Sequence, residues 1–297
     1  MTSLRRLLHR WHTWWCRPCV PHALGLFRII FGAWLVFYWS TKLRHAPELL
    51  SARSVFPFEP LWDWPTVHWL LAAQSAPVTT AMVVLLIAGF ACVTVGWHTR
   101  LMLITTCILY GYFWNLSLYT NGIDTFYLSS LGILTFSNAG DVFSLDTWRR
   151  HHGIWNGRFA KSILPQRLLM LHAGAIYLGA GLEKLWLPGW QGGATLWYIF
   201  SSQWGTGAAF WLLSFGWSPV LYNVAVFYVK ILEISLPFLL LVRARYVRWF
   251  AAAAGTVFHV LITIFINVWQ FSGIVAFYIV FLEPEEIQRR LSRSKKT

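Results

Sequence analysis

The stretch QRLLMLHAGAIYLGAGLEKLW, residues 166–186, decides how this chain is read. From Leu168 to Leu182 it is apolar apart from His172 and the Tyr177 hydroxyl. Its 21 residues match the roughly 20 that an α-helix needs to cross about 30 Å of hydrocarbon. Near its end stand Glu183 and Lys184. A charge at the centre of a membrane helix costs on the order of 3 kcal/mol or more, so an ionisable residue in such a run is a functional hypothesis by default.

The rest of the chain has the same character. Of 297 residues, 57% are hydrophobic and 12% charged, and apolar runs use up nearly the whole length. One membrane domain over 1–297 is expected, with no room for a sizeable soluble domain. The net charge of +13 raises the question of nucleic acid. The basic residues sit in short connectors beside apolar runs, which is the positive-inside pattern of membrane proteins and not a basic patch on a soluble module. Twenty Trp, 11 Tyr and 22 Phe supply interfacial aromatic belts.

Eight spans are expected, at about 22–42, 78–97, 101–119, 122–139, 166–186, 218–242, 248–268 and 270–283. The last is short. Segment 191–216 is Gly/Trp-rich and broken, so it reads as re-entrant or interfacial helices. Residues 61–74 read as an amphipathic piece in the first outer loop. With the N-terminus in the cytoplasm, that side receives Arg5, Arg6, Arg10, Arg17, Arg100, Arg149, Arg150, Arg158, Lys161, Arg167, Arg243, Arg245, Arg248 and the basic tail 284–297. The outer loops receive only Lys42, Arg44 and Arg53. The expected fold is therefore an all-α polytopic bundle of about eight transmembrane helices with both termini cytoplasmic. Segment 1–21 reads as a basic, interfacial N-terminal helix ahead of a retained first span, not as a cleaved signal peptide.

This topology gives each polar residue a depth. Asp124 falls at the outer mouth of span four, Glu183 and Lys184 at the outer end of span five, Lys230 and Glu233 near the middle of span six, and His259 near the middle of span seven. Arg28 lies toward the inner end of span one and His172 toward the inner end of span five. Tyr177 shares a helix face with Lys184, together with the small residues Ala173 and Ala180. Lys184 reads either as a desolvated base beside Tyr177 or as a cation reaching water along its stem. Asp124 is a candidate partner for Lys184, and Lys230 and Glu233, three apart on one helix, for each other. His259 reads as a catalytic or ligand-contacting group or as a strut between helices. Arg28, Asn121, Glu233 and Trp190 are candidate substrate contacts.

Other chemistries have less support. The ten histidines show no i, i+4 pair on a span and no ligand-spaced cluster, so no metal is expected. Cys16-Arg-Pro-Cys19 is a CxxC motif without the strand–helix context of a thioredoxin, and juxtamembrane acylation or no role suits it better than redox work. No P-loop, dinucleotide fingerprint or serine-nucleophile motif occurs.

Four stretches together resemble a known family. They are LFRIIFG at 26–32, NGID at 121–124 with FSLD at 143–146, YLGAGLEKL at 177–185 followed by Gly192, and Glu233…Pro237 with His259. In this order they are similar to the HTTM (horizontally transferred transmembrane) domain family, which includes the membrane portion of vitamin K-dependent γ-glutamyl carboxylase. The motif around Lys184 is the most specific of them. The resemblance implies that Lys184 is a base that deprotonates reduced vitamin K, with Tyr177 in the same site, and that oxygenation then drives carboxylation of a glutamate on a substrate protein. The carboxylases continue into a large lumenal domain, whereas a basic tail follows the last span here. Where they carry an Asn-Asn-His-like stretch, this chain has Asn121-Gly-Ile-Asp124. Short bacterial relatives have the same single-domain form, which implies a bacterial cytoplasmic membrane.

Three functions follow as expectations. The first is an enzyme in which Lys184, Tyr177, Asp124 and His259 act on a lipid-soluble quinol and modify an exported peptide or small molecule. The second is a non-catalytic maturation, export or assembly partner of another polypeptide, with Lys184–Asp124 and Lys230–Glu233 as structural pairs. The third, a transporter, rests only on the broken segment 191–216.

Overall fold

The computed structural model describes residues 3–54, 72–116, 122–152 and 160–293. The amphipathic segment expected at 61–74 falls largely outside these residues, as do Asn121 and Arg158. In chain order the α-helices are α1 (Ser3–Cys16), α2 (His22–Leu43), α3 (Ala46–Leu50), α4 (Ala76–Val95), α5 (Thr99–Leu116), α6 (Gly122–Thr135), α7 (Leu145–Arg150), α8 (Leu164–Trp186), α9 (Ala194–Ser201), α10 (Gly207–Leu213), α11 (Pro219–Leu241), α12 (Arg245–Phe265) and α13 (Pro284–Arg293). A 3-10 helix runs from Trp269 to Phe281. Among the described residues the only strands are β1 (Pro18–Cys19) and β2 (Lys161–Ser162), which pair antiparallel.

Four of these helices, α2, α4, α11 and α12, are long and apolar enough to cross a membrane. Large apolar side chains stand exposed along them, among them Phe37, Leu85, Phe227, Phe238 and Val257. Water would penalise so much contiguous apolar surface, whereas lipid accepts it. The chain is a helical membrane protein. Each of the other four expected spans also coincides with a helix, but each has a feature that weakens its membrane signature. Helix α5 is 18 residues long and α6 only 14. Helix α8 carries Arg167, Glu183 and Lys184. The last expected span is wound as a 3-10 helix of 13 residues. At about 2.0 Å per residue, against about 1.5 Å in an α-helix, that winding extends the short run to roughly 26 Å.

The chain divides into two compact units, Met1–Leu169 with Leu282–Thr297, and Met170–Phe281. In the first unit α2 packs on α4, α4 on α5 and α5 on α6. Gly32 and Gly89 permit the first two approaches, because a Cβ there would meet Thr94 and Thr106 respectively. The core is aromatic, with Trp39 against Tyr110 and Phe31 against Tyr127 in edge-on contacts. Helix α4 ends on Gly96 at φ 74°, a left-handed cap that favours glycine, and a side chain there would also strike the Arg28 guanidinium and Ser144. Asp146 caps the start of α5, accepting from His98 N at 2.9 Å, Thr99 N at 2.7 Å and Thr99 Oγ1 at 2.8 Å. Arg17 pairs with Glu285 at 2.8 Å and with Glu283, which also accepts from Arg167 at 3.2 Å.

In the second unit α11 packs on α12 and α12 on the 3-10 helix. The broken segment 191–216 resolves into the two short helices α9 and α10. Thr206 caps α10 from its hydroxyl and also donates to Ile264 O at 2.5 Å. Phe200, Ala209 and Tyr222 form a buried cluster where these helices meet α11.

Candidate functional site

Within the second unit, α8 presents Tyr177, Ala180 and Lys184 on one face, as their spacing requires. These three residues line a cavity of about 820 Å³, together with Trp190, Glu233 and His259. Most of the remaining wall is apolar or aromatic, supplied by α9 through α12 and by the 3-10 helix. Ligand cavities are typically about 300–1,000 Å³ and mostly apolar with a few polar groups, and this one fits that description.

Lys184 Nζ donates to Glu233 Oε2 at 2.7 Å and to Ala180 O at 3.2 Å, and lies 4.9 Å from the centre of the Trp190 ring. Three features bring the pair together. Gly181 lets α8 approach α11, since a Cβ there would sit 2.7 Å from Ile234 Cγ1 and 3.0 Å from its backbone nitrogen. Pro237 lies inside α11 and has no N–H to give to the Glu233 carbonyl four residues earlier, so the helix is loosened at the glutamate itself. Gln191 donates to Leu185 O at 2.8 Å and closes the end of α8 just beyond the lysine.

About two turns down α8, the Tyr177 hydroxyl lies 2.8 Å from His259 Nε2 and 2.6 Å from the Tyr278 hydroxyl. All three side chains are buried. Gly255 clears the space for Tyr278, because a Cβ there would fall on the tyrosine hydroxyl. His259 Nδ1 is buried with no hydrogen-bond partner among the described residues. This chain of hydroxyls and imidazole is able to relay a proton and to fix the orientation of a bound polar group.

Of the expected site residues, Lys184, Tyr177, His259, Glu233 and Trp190 thus meet at one cavity. Asp124 is not among its lining residues. Asp124 belongs to the first unit, where it is buried and accepts from Tyr38 at 2.8 Å, Tyr110 at 2.7 Å and Lys42 at 3.3 Å. Lys42, which the sequence offered only as an outer-loop cation, is a counter-ion of Asp124 within the same unit and stacks over Tyr38 at 4.2 Å. The Lys230–Glu233 pair is replaced, because Glu233 reaches across to Lys184 rather than along its own helix. Arg28 belongs to the first unit and does not line the cavity. It is fully buried and donates to Phe143 O at 2.6 Å, while its Nε and one terminal nitrogen have no partner among the described residues. Asn121 lies outside the described residues. Tyr278 was missed, because a tyrosine in an apolar run carries no mark of its partner.

Cys16 and Cys19 are both free thiols. Burial pushes the Cys19 thiol up to about 11, against the pull of Arg17. A redox or nucleophilic cysteine needs the opposite shift.

The fold and cavity define a helical membrane protein whose apolar chamber holds an ion pair at one level and a Tyr–His–Tyr network at another. The chain belongs to the HTTM family: the HTTM domain, shared with vitamin K-dependent gamma-glutamyl carboxylase, matches residues 16–285. None of the curated proteins and none of the solved structures compared with the chain matches it.

Proposed function

We propose that the protein is a polytopic enzyme of a bacterial cytoplasmic membrane, with eight spans and both ends inside, and that its chamber binds a reduced, vitamin K-like quinone. The single observation that carries this reading is a lysine–glutamate pair 2.7 Å apart in the wall of an apolar cavity of about 820 Å³. A flat ring system with an apolar tail suits the aromatic walls, and the ring oxygens suit Lys184 and the Tyr177–His259–Tyr278 network. Bound there, a quinol would supply a hydroxyl proton and reducing electrons for oxygen-dependent modification of an exported peptide or small molecule.

The chain's own residues account for the proton. Glu233 lies within hydrogen-bonding distance of Lys184 Nζ, so a proton is able to sit on either partner. With the proton on Glu233, Nζ is free to accept one from a bound hydroxyl. Trp190 faces the lysine and stabilises its cationic form once it has done so. Tyr177, held by His259 and Tyr278, orients a second polar group about 10 Å further along α8.

A second reading is favoured by one observation: Lys184–Glu233 and Lys42–Asp124 are both complete pairs. On that reading the protein is a non-catalytic maturation, export or assembly partner of another polypeptide. Oxygen uptake driven by a reduced naphthoquinone separates the two. Membranes holding the wild-type protein consume oxygen above background and those holding Lys184→Met do not, with equal amounts of folded protein. Equal rates would remove the enzyme reading.

A further inference from the structure

A second cavity, in the first unit, is polar and of a different kind. It has a volume of about 470 Å³ and lies among the start of α5, the loop after α6, α7 and β2. Its charged lining is Arg100, Arg150 and Lys161 against Asp141 and Asp146, with His151 beside them. Both carboxylates are already engaged. Asp146 accepts from two backbone N–H groups and the Thr99 hydroxyl, and Asp141 lies 3.7 Å from Arg150. Arg100 and Lys161 are exposed and have no ion-pair partner among the described residues. Among the described residues the cavity thus has two cations without an ion-pair partner and no carboxylate without a partner. Two large apolar side chains stand beside it in sequence, Phe136 next to Ser137 and Trp148 next to Thr147, and they are 82% and 45% exposed.

We propose that this cavity binds a phosphate group, with Arg100 and Lys161 as its cationic ligands. Charge-assisted hydrogen bonds to phosphate are short and strong, and arginine offers a planar fork that matches the anion. Exposed aromatic side chains and basic residues together suit the headgroup level of a membrane, and the proposed topology puts the connectors that form this cavity on the cytoplasmic side. The same pocket chemistry also takes a soluble phosphate monoester. The inference is independent of the quinol reading, since the cavity shares no residue with the Lys184 chamber.

Native mass spectrometry on the full-length protein in neutral detergent tests it, with three probes: phosphatidylglycerol, phosphatidylcholine and glycerol phosphate. The wild type is compared with Arg100→Gln/Lys161→Gln, with the charge-retaining swap Arg100→Lys/Lys161→Arg, and with Arg243→Gln/Arg245→Gln, which removes two exposed charges from the second unit. Phosphatidylglycerol binding is expected to weaken at least about tenfold in the first variant, as two lost charge-assisted contacts imply. It should persist in the swap and in the Arg243/Arg245 control. Glycerol phosphate bound with the same variant pattern would assign the site to a soluble ligand, and lipid binding alone would assign it to a headgroup. Equal binding by the wild type and the Arg100→Gln/Lys161→Gln variant, or an equal loss in the Arg243/Arg245 control, would overturn the proposal.

Discussion

Lys184 and Glu233, 49 residues apart on two helices, meet at 2.7 Å in the wall of an apolar chamber, and each is the other's only ion-pair partner among the described residues. Removing one partner from such a pair leaves an uncompensated charge in a largely desolvated site, at a cost of about 3–5 kcal/mol. Lys184→Met and Glu233→Gln should each lower thermal stability in detergent. The double variant should recover much of that loss, with a coupling energy of at least about 1 kcal/mol in a double-mutant cycle. Asp124→Asn should give no such rescue of Lys184→Met. Additivity between positions 184 and 233 would show that the contact carries no stability.

The Tyr177 hydroxyl serves two partners at once. Tyr177→Phe leaves both the His259 imidazole and the Tyr278 hydroxyl short of a bond, and each buried unpaired group costs about 1–3 kcal/mol. Tyr278→Phe removes one partner and leaves the Tyr177–His259 contact intact. The Tyr177 variant should therefore melt lower than the Tyr278 variant. The reverse order would mean that the network is not organised around Tyr177.

The helical membrane fold was legible in the sequence because lipid forces it: an apolar run of about 20 residues in hydrocarbon satisfies its own backbone polar groups by forming a helix. The face shared by Tyr177, Ala180 and Lys184 was legible for the same local reason, a spacing of three, four and seven along one helix. Partners across helices were not. Lys230 is the near-neighbour of Glu233 in sequence, yet Gly181 and Pro237 bring the glutamate to Lys184. Asp124 has the depth expected of a partner for Lys184, yet Tyr38, Tyr110 and Lys42 surround it. Pairing of this kind depends on where small residues allow close approach, which a single sequence does not encode in its periodicity.

Asp146 offers a test by pH. Burial works against its charge, but the bonds from Thr99 and His98 and the nearby Arg150 prevail and hold its carboxyl below the usual carboxylate range. Its contribution to stability is therefore present above the unfolded value of about 3.9, and is lost as pH falls through the lower folded value. Asp146→Asn, which keeps one accepting oxygen and loses the other and the charge, should cost about 1 kcal/mol at neutral pH. The gap between variant and wild type should narrow below about pH 4. A gap that stays constant down to pH 2 would show that the carboxylate charge plays no part.

Cys19 should resist alkylation. With its thiol pushed up to about 11 by burial, labelling by iodoacetamide in the folded protein should rise from pH 8 toward pH 11 without levelling off near 9. The unfolded protein should label normally. Rapid labelling of native Cys19 at pH 7 would contradict the buried position.

The most direct measurement is extraction and mass spectrometry of lipids that stay with the protein purified from its native membrane. The wild type is compared with Lys184→Met and with Ala180→Trp, which fills the chamber beside the lysine. The account predicts a quinone in near-stoichiometric amount with the wild type, less with Lys184→Met and none with Ala180→Trp, all three being folded. No quinone in any of them, or the same amount in all three, would contradict a quinol site at Lys184.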